Sequence, residues 1–261
     1  MGYNTLTYDI TDHVGLVTFN RPEAANAMSP ECAAELNDVS LEIEGNKKVR
    51  AVVITGAGKM FCAGGDLSAF AAAGDGARAL IMRMTGDLHL GLSRLARNDA
   101  PVIAAVNGTA AGAGFSLVMS CDLAISAASA VYTMAYTRAG LSPDGSSTYY
   151  MPRKIGDRRT RELMLTNRVL NAEEALAWGI VNEVVADTEV VPRSLALAAE
   201  LAAGPTQAFG QVKTLLNASF DHSLETQMEL EARAIAQMIT TADGQEGVHA
   251  FLEKRRPEFK G

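Results

Sequence analysis

The sequence predicts an α/β fold with a helical region at its C-terminal end, and two observations support this. Residues 51–70 and 101–118 share one plan, in which a short apolar run leads through a loop of small residues into helical periodicity. From Val191 onward the pattern is almost entirely helical, with a break at Gly204-Pro205. We therefore expect an α/β core over residues 1–204. Residues 205–261 are too few to bury their own apolar face, so they should pack on the core or on another subunit.

The first fifty residues predict a hairpin, a helix and a strand. Residues 5–10 and 14–19 alternate or run apolar on either side of a polar break, as paired strands do. Ser29-Pro30-Glu31 combines a capping serine, a proline in the first turn and an acid, so a helix should start there and run to about Ile43. Residues 49–54 are rich in β-branched side chains and predict a buried strand.

The remaining elements follow from the same signals. Helical patterns occupy residues 67–73, 77–97, 148–155, 158–165, a segment from 171, and 224–238. Strands are expected at residues 102–106, 123–126 and 180–185, loops at 74–76 and 140–147, and residues 132–138 are ambiguous.

Composition narrows the function. The chain has 261 residues, 48% of them apolar, a net charge of −7 and a pI of about 5.2. Such an acidic chain does not suit nucleic acid, although a local basic cluster could still serve a small anion. Cys32, Cys62 and Cys121 form no CxxC pair, which indicates a reducing compartment without disulfides or zinc. No apolar run is long enough for a bilayer, so we expect a soluble, cytoplasmic protein that does not bind membranes.

The two small-residue loops suggest a site for an oxygen atom. The first amides of a helix have no partner within the helix and carry partial positive charge. Two strand–loop–helix units side by side could aim two N–H groups at one point, which is what a developing oxyanion requires. Tight turns between strand and helix are the simpler interpretation, and the pattern alone favours them.

Several common motifs are absent. A P-loop fails because Val53 and Met60 stand where its first glycine and its hydroxyl belong around Gly58-Lys59. A dinucleotide fingerprint fails because Leu117 occupies the third glycine position. No Gly-x-Ser-x-Gly occurs around the serines of the glycine-rich loops. The four histidines, at positions 13, 89, 222 and 249, have no metal-ligand spacing, so we expect no metal.

Short motifs spread in order along most of the chain carry a resemblance. They are residues 20–27 (NRPEAANA), 61–67 (FCAGGDL), 107–108 (NG), 111–114 (AGAG), 121–123 (CDL), 163–168 (LMLTNR), 173–175 (EEA), 178–181 (WGIV) and 253–259 (EKRRPEF). In this order the motifs resemble those of the crotonase (enoyl-CoA hydratase/isomerase) superfamily.

The resemblance implies a spiral of ββα units whose helical C-terminal region forms homotrimers, often stacked as hexamers. It implies an acyl-CoA thioester substrate and neither an organic cofactor nor a metal. The thioester oxygen would lie between the amides of Gly65 and Ala113. Ala63, Asp66 and Leu67 would contact the substrate from the same loop, although Asp66 is also well placed to cap a helix that starts at Leu67.

Other positions match segments that contact coenzyme A in the superfamily. They are Arg21 with Ala24 and Ala25 near the N-terminus, and Lys213, Phe251 and Lys254 for the adenine end, the last two from a neighbouring subunit. A lysine on a protein surface is otherwise simply solvated.

The acid–base residues are where this chain departs from the hydratases that it resembles. Those enzymes carry glutamates where this chain has Ser116 and Tyr136, and serine and tyrosine are poor bases at neutral pH. Asp144, in Leu141-Ser142-Pro143-Asp144-Gly145, could simply bond its own turn. The epoxyphenylacetyl-CoA isomerase and 4-chlorobenzoyl-CoA dehalogenase types, however, place a functional aspartate there.

These features favour a double-bond isomerase in which Asp144 moves one proton, and three alternatives stay open. One is a hydratase. Another is dehalogenase-like hydrolysis, with Asp144 as nucleophile and His89 as base. Tyr136 and Gly65 argue against it, because dehalogenases carry tryptophan and phenylalanine there. The last is an acyl-CoA-binding subunit without catalysis. His89 could equally be an ordinary helix residue.

Overall fold

The computed structural model describes residues 2–261, which form ten β-strands and eleven α-helices. The strands are β1 (Leu6–Thr11), β2 (Val14–Phe19), β3 (Ala51–Gly56), β4 (Met60–Cys62), β5 (Val102–Val106), β6 (Thr109–Ala111), β7 (Leu123–Ala127), β8 (Val131–Thr133), β9 (Leu170–Asn171) and β10 (Glu183–Val185). The helices are α1 (Pro30–Gly45), α2 (Leu67–Ala72), α3 (Ala77–Arg97), α4 (Ala113–Ser120), α5 (Ser147–Ile155), α6 (Asp157–Thr166), α7 (Ala172–Ala177), α8 (Val190–Ala202), α9 (Thr206–Ala218), α10 (Leu224–Met238) and α11 (Ala242–Glu253).

The strands form two sheets, which confirms the α/β class. The larger sheet has the order β1-β2-β3-β5-β7-β10, and the smaller has the order β4-β6-β8-β9. Every neighbouring pair is parallel except the β1–β2 hairpin and the β8–β9 pair. β3 and β5 are buried along their whole length, which explains why their sequences are nearly continuous apolar runs.

Three successive units repeat the same path, the two that share the sequence plan and a third that follows them. In each unit the first strand joins the larger sheet (β3, β5, β7) and the second joins the smaller one (β4, β6, β8). A helix follows in the first two units, and a 3-10 turn at Tyr136–Ala139 follows in the third. Because successive units stack in parallel, their equivalent loops lie side by side.

Two sequence expectations differ in detail from the structure. The ambiguous segment at 132–138 divides into the end of β8 and the 3-10 turn. The strand expected at 180–185 is confined to β10. The Asn182 amide donates to the Ala124 carbonyl and the Asn182 side-chain oxygen accepts from the Ala124 amide, each at 2.8 Å, so a side chain replaces part of the ladder.

The helical C-terminal region is present, with α9 beginning directly after Gly204-Pro205. Large apolar side chains are exposed along it, including Phe220, Leu224, Met228, Ile235 and Phe251. A division of the chain near Gly204 and a role of this region in oligomerisation stay predictions. Within residues 2–261 no helix has both the length and the apolar character needed to cross a membrane.

Candidate active site

The two small-residue loops meet where β4 pairs with β6. Met60 lies opposite Thr109 and Cys62 opposite Ala110, so the loops that follow both strands leave the sheet together. Gly64 has a φ of +101° and Gly112 a φ of +50°, in the region that favours glycine. A methyl group on Gly64 would lie only 3.0 Å from the Ala111 carbonyl oxygen. Glycine at both positions therefore permits the close approach of the two loops.

Each loop presents one backbone amide that has no protein partner. The Met28 amide donates to the Gly64 carbonyl at 2.7 Å, and the Asp66 amide donates to the Met28 carbonyl at 3.0 Å. Because the flanking residues make both bonds to Met28, the Gly65 amide points away from it. Ala113 is the first residue of α4, so its amide has no acceptor within the helix. Within residues 2–261 neither amide donates to a protein acceptor.

Both loops line a cavity of about 260 Å³. Gly65 and Ala113 line this cavity together with Tyr136 and Asp144. Asp144 is the only carboxylic acid among the lining residues of this cavity in the described chain. The structure thus brings the two amides expected from the sequence and the expected aspartate to one apolar space.

The Asp144 side chain does not close its own turn. The turn is closed by the Asp144 carbonyl oxygen, which accepts from the Ser147 amide at 3.2 Å and from the Ser147 hydroxyl at 2.9 Å. The carboxylate instead accepts from the Tyr136 hydroxyl, with 2.6 Å between Tyr136 Oη and Asp144 Oδ1. The geometry therefore leaves the carboxylate on the cavity side of the loop.

Ser116 and Tyr136 contact each other at the positions where similar hydratases carry glutamates. Ser116 is fully buried, and its Oγ lies 2.9 Å from Tyr136 Oη. Burial raises the pKa of Tyr136 well above its ordinary value, and the neighbouring Asp144 carboxylate raises it further. Tyr136 consequently remains protonated at neutral pH and cannot act as a general base.

His89 lies on the other side of the Asp144 loop. Its side chain is exposed on α3, and its Nε2 accepts from the Gly145 amide at 3.2 Å. It lines a separate cleft of about 750 Å³, in which Asp144 also takes part, but not the cavity of the two amides. His89 therefore contacts the backbone of the Asp144 loop.

The segment expected to contact coenzyme A is tied to the first loop. The Arg21 guanidinium pairs with Asp66 Oδ2 at 3.2 Å, and Asp66 Oδ1 accepts from the Ala69 amide at 3.3 Å, so Asp66 caps α2. The Ala63 amide donates to the Ala25 carbonyl at 3.1 Å, which holds the turn of Ala24 and Ala25 beside the loop. Asp66 thus has the capping role that the sequence allowed. The role of these residues in binding substrate stays a prediction.

Lys213 is not among the residues that line the cavity of the two amides, and its expected contact with coenzyme A stays a prediction. Its side chain is only 7% exposed, and Nζ donates to the carbonyls of Leu95 and Ala100 at 3.0 and 2.9 Å. Nζ also pairs with Asp122 Oδ2 at 2.8 Å. All three of its donor positions are used inside the protein, so these bonds stabilise the fold.

Phe251 and Lys254 are likewise outside the cavity of their own chain. Phe251 is 80% exposed near the end of α11, and Lys254 is the exposed residue that ends this helix. Their expected contact with coenzyme A runs from a neighbouring subunit, and it stays a prediction.

The apolar wall of the cavity was not identified from the sequence. It comes from Phe70 on α2 and from Ile81, Met84 and Thr85 on α3. The spacing i, i+3, i+4 on α3 was a usable signal, since such residues share one face of a helix. Leu67 lines the same cavity, as expected.

The cysteines are buried thiols, and the described residues include no group that could bind a metal ion. All three cysteines are free and buried, and burial raises the pKa of Cys62, at the end of β4, to about 11. A protonated thiol is a poor nucleophile. In the described part of the chain, no cluster of His, Cys, Asp or Glu is arranged to hold a metal ion.

Known proteins resemble this chain over its whole length. A probable enoyl-CoA hydratase of Rhodobacter capsulatus is 39% identical over 261 residues, covering 100% of both chains. The 1,2-epoxyphenylacetyl-CoA isomerase of Escherichia coli K12 is 39% identical over 246 residues, covering 94% of each. The crystal structure of a putative enoyl-CoA hydratase from Streptomyces coelicolor superimposes with a TM-score of 0.94 at 33% identity, covering 100% of this chain and 95% of that one.

The family model described as enoyl-CoA hydratase/isomerase matches residues 9–261, nearly the entire chain. The paired loops, the stacked ββα units and the helical end of the chain agree with this match. The protein therefore belongs to the enoyl-CoA hydratase/isomerase family, within the crotonase superfamily.

Proposed function

We propose that this protein moves the double bond of a 3-enoyl-CoA thioester into conjugation, with Asp144 as the proton carrier. The observation that supports this most is the single carboxylate in the cavity that holds two unpaired amides. Isomerisation needs one base, whereas water addition by the two-carboxylate route needs two.

The reaction balances with the protein's own groups. The Asp144 carboxylate removes a proton from the α-carbon, and the electron pair moves onto the thioester oxygen as a dienolate. The amides of Gly65 and Ala113 donate to this oxygen, and each such donor lowers a barrier by about 3–4 kcal/mol in a dry site. The carboxylic acid then returns the proton to the γ-carbon, and the carbonyl re-forms. No water is consumed and no redox change occurs.

The neighbours of Asp144 support isomerisation over hydration. Ser116 and Tyr136 form a hydrogen bond with each other, and neither side chain can act as a general base at neutral pH. A relative with isomerase activity in its name shares 39% of its residues with this chain. Other relatives are described as hydratases, so membership of the family alone does not separate the two reactions.

The dehalogenase-like alternative receives less support from the geometry. His89 would have to activate water, but its Nε2 is used by the Gly145 amide on the far side of the loop. We also propose that coenzyme A lies along Arg21, Ala24 and Ala25, where the loop carrying Ala63 begins. We expect no cofactor, a homotrimer or hexamer, and a cytoplasmic location.

Asp144→Asn tests the function. Wild type and variant are offered 3-enoyl-CoA, trans-2-enoyl-CoA and 4-chlorobenzoyl-CoA, while conjugated-enoyl absorbance and chloride release are followed. We expect wild type to isomerise the 3-enoyl ester, and the variant to lose roughly a thousandfold in kcat while still binding the ester. Asp75→Asn, at an exposed loop tip, is the matched control and should keep full activity.

Two results would contradict the proposal. Undiminished isomerisation by Asp144→Asn would remove Asp144 from the reaction. Efficient hydration of the 2-enoyl ester, or chloride release, by wild type without isomerisation would assign the site to one of the other reactions. Binding of the esters without any turnover would favour the non-catalytic subunit.

A further inference from the structure

The phenol of Tyr136 lies between the Asp144 carboxylate and Ser116 on α4. Tyr136 Oη lies 2.6 Å from Asp144 Oδ1 and 2.9 Å from Ser116 Oγ. Ser116 Oγ is also 3.2 Å from the carbonyl oxygen of Gly112, the residue before Ala113. The phenol therefore contacts both the group that would carry the proton and the helix whose first amide would hold the oxyanion.

Counting protons fixes the direction of the bond between Tyr136 and Asp144. An ionised carboxylate can only accept, so the Tyr136 hydroxyl must donate to Asp144 Oδ1. The single Ser116 proton can go either to Tyr136 Oη or to the Gly112 carbonyl, but not to both. Burial and the Asp144 charge both raise the pKa of Tyr136, so the phenol keeps its proton. Oδ1 has a lasting donor, whereas Oδ2 accepts no hydrogen bond from residues 2–261.

We propose that Tyr136 is a positioning residue that gives the two oxygens of Asp144 different tasks. The phenol holds Oδ1, and Oδ2 takes the proton from the α-carbon and returns it to the γ-carbon. The assignment of Oδ2 rests on the proposed isomerisation. A proton on Oδ2 leaves Oδ1 as a carbonyl oxygen that still accepts from Tyr136, so no hydrogen bond reverses during turnover. A proton on Oδ1 would reverse this hydrogen bond, so that the phenol accepts from Asp144 and donates to Ser116 Oγ.

The same bond orients Asp144. With Oδ1 held by the phenol, the carboxylate is fixed in one direction, and a displacement of about 1 Å in a reacting group can cost about a hundredfold in rate. Loss of this bond should therefore lower kcat more than it changes KM. A tyrosine that served only to fill space would leave kcat unchanged in a phenylalanine variant of nearly the same shape.

Tyr136→Phe tests the positioning role through separate measurements of kcat and KM. We expect kcat to fall by roughly tenfold to a hundredfold, with KM within twofold of wild type. Tyr132→Phe is the matched control, because Tyr132 is another buried tyrosine and its hydroxyl donates to Ser126 Oγ at 2.7 Å, away from Asp144. A kcat of Tyr136→Phe within twofold of wild type would overturn the proposal.

A second measurement does not depend on which reaction the enzyme catalyses. The side-chain carboxyl carbons of aspartate are labelled with ¹³C, Asp144→Asn identifies the Asp144 signal by NMR, and its chemical shift is compared between variants at one neutral pH. The signal should move in Tyr136→Phe and stay in place in Tyr132→Phe, because the carboxyl carbon senses the hydrogen bond to Oδ1. An unmoved signal in Tyr136→Phe refutes the positioning role. A moved signal in a protein that isomerises no ester refutes the proposed function instead, and leaves the contact between Tyr136 and Asp144 established.

Discussion

Gly64 and Gly112 pack backbone against backbone, and this contact sets the spacing of the two amides that follow them. A methyl group on Gly64 would lie 3.3 Å from the Gly112 Cα, and one on Gly112 would lie 3.4 Å from the Gly64 Cα. Gly64 is followed by Gly65 and Gly112 by Ala113, and both of these residues line the cavity. Two residues without side chains thus determine how two N–H donors converge.

Gly64→Ala should therefore reduce activity more than it reduces binding. Alanine is strained at a φ of +101°, and its methyl would meet the Ala111 carbonyl at 3.0 Å, so the loop has to shift. A displacement of about 1 Å in a reacting group can cost about a hundredfold in rate, and we expect kcat to fall by roughly ten to a hundredfold. Steady-state kinetics and calorimetric binding of a saturated acyl-CoA check this.

The control for this glycine is Gly76→Ala. Gly76 has a φ of −79° and open space around its Cα, so alanine fits there without movement. It should behave as wild type. Equal kcat values for Gly64→Ala and Gly76→Ala would show that the close contact between the loops does not control the amides.

Ala113→Pro offers a way to remove one amide without breaking the helix. Ala113 is the first residue of α4, where proline fits and only an unpaired N–H is lost. If this amide stabilises the oxyanion, kcat/KM should fall by about a hundredfold to a thousandfold, with little change in Tm. Ala113→Gly keeps the amide and should retain most of the activity. Near-normal turnover by the proline variant would remove Ala113 from the reaction.

The sequence was sufficient to predict features that depend on residues close to one another in the chain. The repeated strand–loop–helix units were predicted because buried parallel strands are apolar throughout and their loops need glycine locally. The pairing of Tyr136 with Asp144 was missed, because it depends on how the 3-10 turn folds back toward the next loop. The internal partners of Lys213 were missed as well, because Leu95 and Ala100 lie more than a hundred positions earlier in the chain.

Lys213→Met should destabilise the protein without weakening substrate binding. The substitution leaves Asp122 without its cation and two carbonyls without their donor in a buried place. Breaking a buried pair on one side costs about 3–5 kcal/mol, and the partial exposure of Asp122 reduces this to about 2–4 kcal/mol. Urea denaturation measures the free energy of unfolding, and KM for the thioester should stay within twofold of wild type.

A double variant separates the pair from its surroundings. Lys213→Met combined with Asp122→Asn should lose less stability than the sum of the two single variants. The double variant contains neither charge, so no charged side chain is left without its partner. A several-fold rise in KM for Lys213→Met, at unchanged stability, would instead support the expectation that this lysine contacts coenzyme A.

Glu35 should make stability depend on pH in the acid range. Its buried carboxylate accepts from the amides of Asn4 and Thr5 at 2.7 and 2.9 Å, which fastens the N-terminal segment to α1. Burial by itself would raise the pKa of Glu35, but these hydrogen bonds and one from the Thr5 hydroxyl outweigh it and hold the pKa below its ordinary value of 4.5.

A carboxyl group with a lowered pKa in the folded state stabilises the fold above the ordinary pKa. That stabilisation is lost as the pH falls through the lowered value. Glu35→Gln should thus lower the free energy of unfolding by about 1–3 kcal/mol at neutral pH, and the gap to wild type should close below about pH 4. Glu31→Gln removes an exposed carboxylate that accepts only from the Asn4 side chain, and it should change stability little. Denaturation curves at several pH values measure the difference in unfolding free energy between Glu35→Gln and wild type. A difference that persists unchanged at acid pH would mean that the shape of the glutamate side chain, and not its charge, holds the N-terminal segment.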